Sequence, residues 1–294
     1  MRRFSRVRLP ILVLLLLGCQ GELAGGSDAG RARDGGASDS ALPDANASDS
    51  GTRDSGVVDS GTRDSGTRDS GTPMGSLTPA RGASSGGSGG GAADGASRTA
   101  PGGQAYLLRV PTSYRDGVPN GLMIVFSGTE GARTMMMNLQ GAAPSLGLGD
   151  LIFAVLDGVE TYGNGAAGAA VLDDVRAKYD IDNDRTFLLS ESAGTRAGLE
   201  LGLDLRQSYF AAYWANDVNA TRAPSSSAAS LGFAPHGNAG PGGDFVDAQS
   251  IVDGMRAQGY RLPSPAPYAG AGAGTHGDPN QFVAALRFFV GKSR

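Results

Sequence analysis

The sequence predicts an α/β fold: a mostly parallel β-sheet with helices on both faces. Three observations carry this. Short apolar runs alternate with longer amphipathic segments across the last two thirds of the chain. That is the pattern of strands joined by helical crossovers. Several of the runs are continuously apolar, as in strands buried on both faces. One junction between a run and a helix has the composition of a sharp turn that presents a serine.

Residues 104–110 alternate in polarity, as a strand does, and stop at Pro111. Residues 121–126 (Gly-Leu-Met-Ile-Val-Phe) are uninterrupted and apolar, a buried strand. Residues 132–139 read as a helix, and 151–156 as a second buried strand. Residues 166–179 form a helix with Ala169, Val171, Leu172 and Val175 on its apolar face. A strand over 186–189 feeds the serine turn, and a helix over 195–203 leaves it. Further strands are expected at 210–215, at 230–234 and, weakened by its prolines, at 266–269. Helices are expected at 247–258, with Gly259 as its C-cap, and at 280–290.

The beginning of the chain reads differently. Arg2, Arg3, Arg6 and Arg8 precede an apolar stretch at 9–17. That stretch is too short for the ~20 residues that a bilayer span requires, so residues 1–18 read as an export signal. Leu16-Leu17-Gly18-Cys19 resembles a bacterial lipobox. The resemblance implies cleavage before Cys19 and its lipidation, which anchors the protein in the cell envelope. Gln20 after the cysteine implies the outer membrane. Cys19 is the only cysteine, which excludes an intramolecular disulfide and a cysteine nucleophile. Residues 19–101 are rich in Gly, Ser, Asp, Ala and Thr and carry a five-residue repeat beginning at Asp54, Asp59, Asp64 and Asp69. So little apolar surface does not offset backbone entropy of ~1–2 kcal/mol per residue. A disordered tether is expected there, and a folded domain over 102–294.

The chemistry concentrates at Ser190-Glu191-Ser192-Ala193-Gly194. A serine on a strand-to-helix turn is pushed out of the sheet as a nucleophile, and the Ala193 N–H behind it is free to hold an oxyanion. The chain has two histidines. His276, in the glycine-rich loop before the last helix, is the expected base, and His236 is the alternative. The turn after residue 126 (Phe126-Ser127-Gly128-Thr129-Glu130-Gly131) is the place for a second oxyanion donor, with Thr129 best placed. For the acid, Asp217, Asp244 and Asp247 all lie between Ser192 and His276 in the chain. Glu191 reads as a solvent-facing or helix-start carboxylate, and Met135, Met136 and Met137 as core or pocket wall. A net charge of −4 and the lack of a basic helix argue against nucleic-acid binding. No metal site or cofactor motif is read, and the chain is expected to be a monomer.

These residues together resemble the α/β-hydrolase fold. Within it they are most similar to the secreted poly(3-hydroxybutyrate) depolymerase and feruloyl esterase group. The resemblance rests on Asp173-Asp174-Val175, Tyr179-Asp180-Ile181-Asp182 and Arg185 before the serine turn. It extends to Pro235-His236-Gly237-Asn238-Ala239-Gly240-Pro241 and Thr275-His276 after it. It implies a serine esterase acting through an acyl-enzyme on polyester or acylated polysaccharide fragments, with no cofactor. There are three departures. Ser190 replaces the first glycine of the turn, Ser127 stands where the group has a histidine, and Gly240 stands where it has the catalytic aspartate. The last two motivate an alternative, an impaired hydrolase-like lipoprotein that serves as a binding module. A peptidase or acyltransferase on the same fold is a third reading.

Overall fold

In the computed structural model, residues 78–294 are described. The expected export signal, Cys19 and the five-residue repeat lie outside the described residues. The strands are β1 (Asp94–Thr99), β2 (Ala105–Arg109), β3 (Asn120–Phe126), β4 (Ile152–Leu156), β5 (Ile181–Glu191), β6 (Ala212–Asn216) and β7 (His236–Ala239). They form one sheet in the order β1-β2-β4-β3-β5-β6-β7. Pairing is antiparallel at β1–β2 and β2–β4, and parallel from β4 through β7.

The helices are α1 (Gly131–Ala142), α2 (Gly165–Lys178), α3 (Thr195–Glu200), α4 (Ala228–Leu231), α5 (Phe245–Ala257) and α6 (Pro279–Phe289). The pleat assigns them to faces. Leu122, Ile124 and Phe126 of β3 point into a core shared with Leu172 and Val175 of α2, Leu199 of α3 and Ile251 of α5. Met123 and Val125 point the other way, toward Met135 and Leu139 of α1 and Leu286 and Phe289 of α6. Met135 and Met136 are core residues, whereas Met137 is exposed. Among the described residues no helix is long and apolar enough to cross a membrane.

Three expectations change. The stretch 78–101, read as the end of the tether, is structured. Ser85 N–H donates to the Ile181 carbonyl (2.8 Å) and Asn183 N–H to the Ala83 carbonyl (3.1 Å). At Gly90 the backbone lies so close to Tyr179 that a Cβ would sit 2.2 Å from its ring. The burial here comes from backbone against a ring and from the small side chains of Ala93 and Ala100, so composition hardly registers it. The strand expected at 230–234 is instead the short helix α4, because Ser227 caps its start (Ser230 N–H to Oγ, 3.2 Å) and Gly232 closes it at φ 75°. The strand itself follows at β7. No strand forms at 266–269. Pro263, Pro265 and Pro267 lack donors, and one bond to β7 forms there, Tyr268 N–H to the Ala239 carbonyl (2.9 Å).

Candidate active site

The site lies at the C-terminal ends of the parallel strands. β5 runs level with Phe126 of β3 and Asn216 of β6, then turns at Ser192. Ser192 has φ 46°, a left-handed conformation that costs a non-glycine residue ~1–3 kcal/mol. The surrounding contacts hold it there. Gly194 lies so close to Phe126 that a Cβ would be 2.6 Å from the Phe126 Cβ. Gly158, after β4, leaves no room for a Cβ between the Ser127 carbonyl (1.8 Å) and the Gly194 nitrogen (2.7 Å). Three loops thus close on one another through glycines.

Ser190 fits the turn for a specific reason. A Cβ on residue 198 would lie 2.3 Å from the Ser190 Cβ, and residue 198 is glycine. The Ser190 hydroxyl is bonded to the Tyr213 hydroxyl (2.9 Å), so it is not buried unpaired. Ser127 also has partners: its Oγ accepts from Gly158 N–H (3.1 Å) and donates to the Gly128 carbonyl (3.2 Å).

Ser192 Oγ is 2.8 Å from His276 Nε2. His276 hangs from the loop 270–278, whose shape depends on Gly272 at φ 85°; a Cβ there would lie 2.6 Å from the Asp278 carboxyl. His236, the alternative base, is not at this edge. It begins β7 beside Ala212, four residues down the strand from Asn216. That is ~13 Å at ~3.3 Å per residue. Burial, then Arg261 and Lys292, lower its imidazole to about 4.

Of the three candidate acids, Asp217 approaches the His276 loop. It follows β6, is 1% exposed, and has φ 50°. Oδ2 accepts from Gly277 N–H (2.6 Å) and Oδ1 from Gln281 Nε2 (2.5 Å). Among the described residues no carboxylate is hydrogen-bonded to His276 Nδ1. Asp217 holds the residue after the histidine. Asp244 is instead the N-cap of α5, accepting from Asp247 N–H (3.0 Å), and Asp247 is in that helix's first turn. Gly240 has no space for a carboxylate: a Cβ would meet Asn216 Oδ1 at 2.5 Å and Gln281 Cδ at 2.9 Å.

The two expected oxyanion donors are the Ala193 and Thr129 N–H groups. Ala193 is in the 3-10 turn Ser192–Gly194, where first-turn donors have no intrahelical partner. The Thr129 N–H makes no hydrogen bond among the described residues. The neighbouring Gly128 N–H is taken by Glu130 Oε1 (2.9 Å). Burial raises the Glu130 carboxyl above its usual range, with Asp157 and Asp217 adding to the rise.

Sequence reasoning missed Gln281, Asn216 and the true setting of Glu191. Gln281 comes from α6 and is fully buried, and nothing in its local sequence marks it. Glu191 is not a solvent-facing carboxylate; it is 9% exposed, and burial followed by Asp217 raises it well above the carboxyl range.

No protein-family model matches the sequence, and no curated protein matches it. Among solved structures the chain is similar to a thermostable esterase, with TM-score 0.50 and 12% identity over 68% of this chain and 62% of that one. It thus spans less than two thirds of that esterase's length. A feruloyl esterase module from Clostridium thermocellum follows at TM-score 0.45 and 13% identity, covering 66% of this chain and 86% of that chain. A poly(3-hydroxybutyrate) depolymerase from Bordetella parapertussis has TM-score 0.44 and 16% identity, covering 62% and 87%. The strand order and the first of these likenesses give the architecture: an α/β-hydrolase-like fold. Architecture alone does not determine activity.

Proposed function

We propose that the domain is a serine carboxylic-ester hydrolase that works through an acyl-enzyme. The observation that carries this reading is the 2.8 Å contact between Ser192 Oγ and His276 Nε2, with Ser192 held at φ 46° at the end of β5. Ser192 Oγ attacks the ester carbonyl carbon while His276 Nε2 takes its proton. The Ala193 and Thr129 N–H groups receive the developing oxyanion. His276 returns the proton to the leaving alcohol, and water then releases the acyl group by the same steps. Asp217 acts on His276 through the Gly277 N–H.

The substrates proposed are extracellular polyesters or acylated polysaccharide fragments. The chain is proposed to be lipid-anchored through Cys19 in the bacterial cell envelope, at the outer membrane, with the catalytic domain outside the cytoplasm. A second reading, a binding module with impaired catalysis, is favoured by the missing bond between a carboxylate and His276 Nδ1.

A fluorophosphonate probe on the purified domain separates the two. Wild type is expected to label, and Ser192→Ala is expected not to, with ester turnover falling by a factor on the order of 10⁶. Folded wild-type protein that does not label would rule out the esterase. Esters of graded acyl length then narrow the substrate, and palmitate labelling lost in Cys19→Ala tests the anchor.

A further inference from the structure

A cavity of about 460 Å³ has no part in the steps above. Its walls come from segments that follow four parallel strands. Gly163 follows β4, Arg196 follows the serine turn, Thr221 and Arg222 follow β6, and Asp247 belongs to α5 after β7. Those strands end at the edge that carries Ser192. Arg196 stands four residues after Ser192, about 6 Å along a helix. A helical Cβ tilts toward the N-terminus, so the Arg196 side chain leans back toward the nucleophile.

Two contacts hold Arg196 in place. Its guanidinium carbon lies 5.4 Å from the centroid of the Tyr162 ring. Gly163 lies so close that a Cβ there would be 3.2 Å from the Arg196 Cδ. A planar cation resting on an aromatic face is pre-organised for a ligand. Among the described residues its N–H groups have no hydrogen-bond or ion-pair partner. Arg222, the other guanidinium of the lining, is paired with Asp204 (2.8 Å). Asp247 is the one acid among the lining residues, and it forms no ion pair with Arg196. A cation in the cavity would face two guanidinium groups, and a doubly charged anion would face Asp247. A single carboxylate suits the lining: the Arg196 fork takes both of its oxygens, with the Thr221 hydroxyl as a neighbouring donor.

We infer that this cavity is a carboxylate subsite, and that Arg196 makes the enzyme prefer esters that carry one negative charge a few bonds from the scissile carbonyl. The reach fits. At ~3.5 Å per three bonds of extended chain, five bonds span about 6 Å, the separation of Ser192 and Arg196 along the helix. Arg196 is exposed, so its attraction weakens with added salt. The preference in turnover rests on the esterase reading above; binding of the carboxylate does not.

The test compares acid and neutral esters of equal length on full-length protein at low salt. One pair is monoethyl adipate and ethyl adipamate, with the charge on the acyl part. The other is 4-butyryloxybutanoate and its amide, with the charge on the alcohol part. Wild type is expected to favour the acid about tenfold in kcat/KM in at least one pair, and that pair identifies the side of the ester that enters the cavity. Arg196→Gln is expected to remove most of this ratio, and Asp247→Asn to raise it. Arg133→Gln, at an exposed arginine of α1 outside the cavity, is expected to keep it. A wild-type ratio near one in both pairs overturns the inference, as does a ratio unchanged in Arg196→Gln or lost equally in Arg133→Gln. Calorimetric titration with adipamate supplies a readout without turnover: Ser192→Ala is expected to bind it about tenfold more tightly than Ser192→Ala/Arg196→Gln. Equal or undetectable binding in the two overturns the subsite. If wild type neither labels with fluorophosphonate nor turns over any ester, the esterase reading falls, and the adipamate titration still decides the subsite.

Discussion

Asp217→Asn separates the carboxylate that matters from those that merely lie nearby. Asparagine tolerates the left-handed backbone at φ 50°, so the substitution adds no strain of its own. It keeps one acceptor oxygen and turns the other into an N–H₂ group. That group faces either the Gly277 N–H or the Gln281 Nε2, both now held by the carboxylate. One charge-assisted bond is lost, at ~1.5–3 kcal/mol. In a domain of this size, ~2–4 °C per kcal/mol converts that to a fall in Tm of ~3–12 °C. The effect on turnover is larger. Misplacing a reacting group by ~1 Å costs ~10²-fold, and losing the triad acid's role outright costs ~10⁴-fold. We therefore expect kcat to fall ~10²–10⁴-fold with little change in KM, measured on a soluble chromogenic ester. Asp244→Ala is the control. It removes the cap on Asp247 N–H, costs ~1 kcal/mol and leaves kcat as in wild type. Turnover of Asp217→Asn within about threefold of wild type would refute the assignment, and so would an equal loss in Asp244→Ala.

Two further outcomes test the local packing and the remote histidine. Gly198→Ala places a Cβ 2.3 Å from the Ser190 Cβ and should cost ~1–3 kcal/mol in urea unfolding. Ser190→Gly in the same chain should recover most of that, and strictly additive effects would show that the two positions do not touch. His236 carries a lowered imidazole, about 4 against 6.5 for the free group. The unfolded chain therefore binds the extra proton first on acidification. Its contribution to stability is whole above 6.5 and is lost as pH falls toward 4. His236→Gln should flatten that acid limb of the urea midpoint, and an unchanged limb would place the titration elsewhere.

How legible the fold was depended on where burial came from. The continuous apolar runs at β3 and β4 and the amphipathic α2 were readable because side-chain hydrophobicity drives them. The serine turn was readable because a strand meets a helix over five residues. α4 was misread because a four-residue helix fixed by a serine cap and a closing glycine has no periodicity to detect. β1 and the segment before it were hidden among glycines and serines that pack by backbone contact, with only small side chains such as Ala93 and Ala96 reaching the core.

Within the site, the sequence by itself pointed to Ser192, His276 and the loops that carry them. Each is announced by local chemistry: a sharp turn, a glycine-rich stretch, a chain order. Only the tertiary structure chose among the acids and gave Glu191 its environment. Asp217 and His276 stand fifty-nine positions apart in the chain, and Asp217 reaches the histidine's loop through the Gly277 N–H while Gln281 of α6 holds its other oxygen. Hydrogen-bond geometry and desolvation between distant segments arise only when the strands are side by side, and no spacing along a chain encodes them.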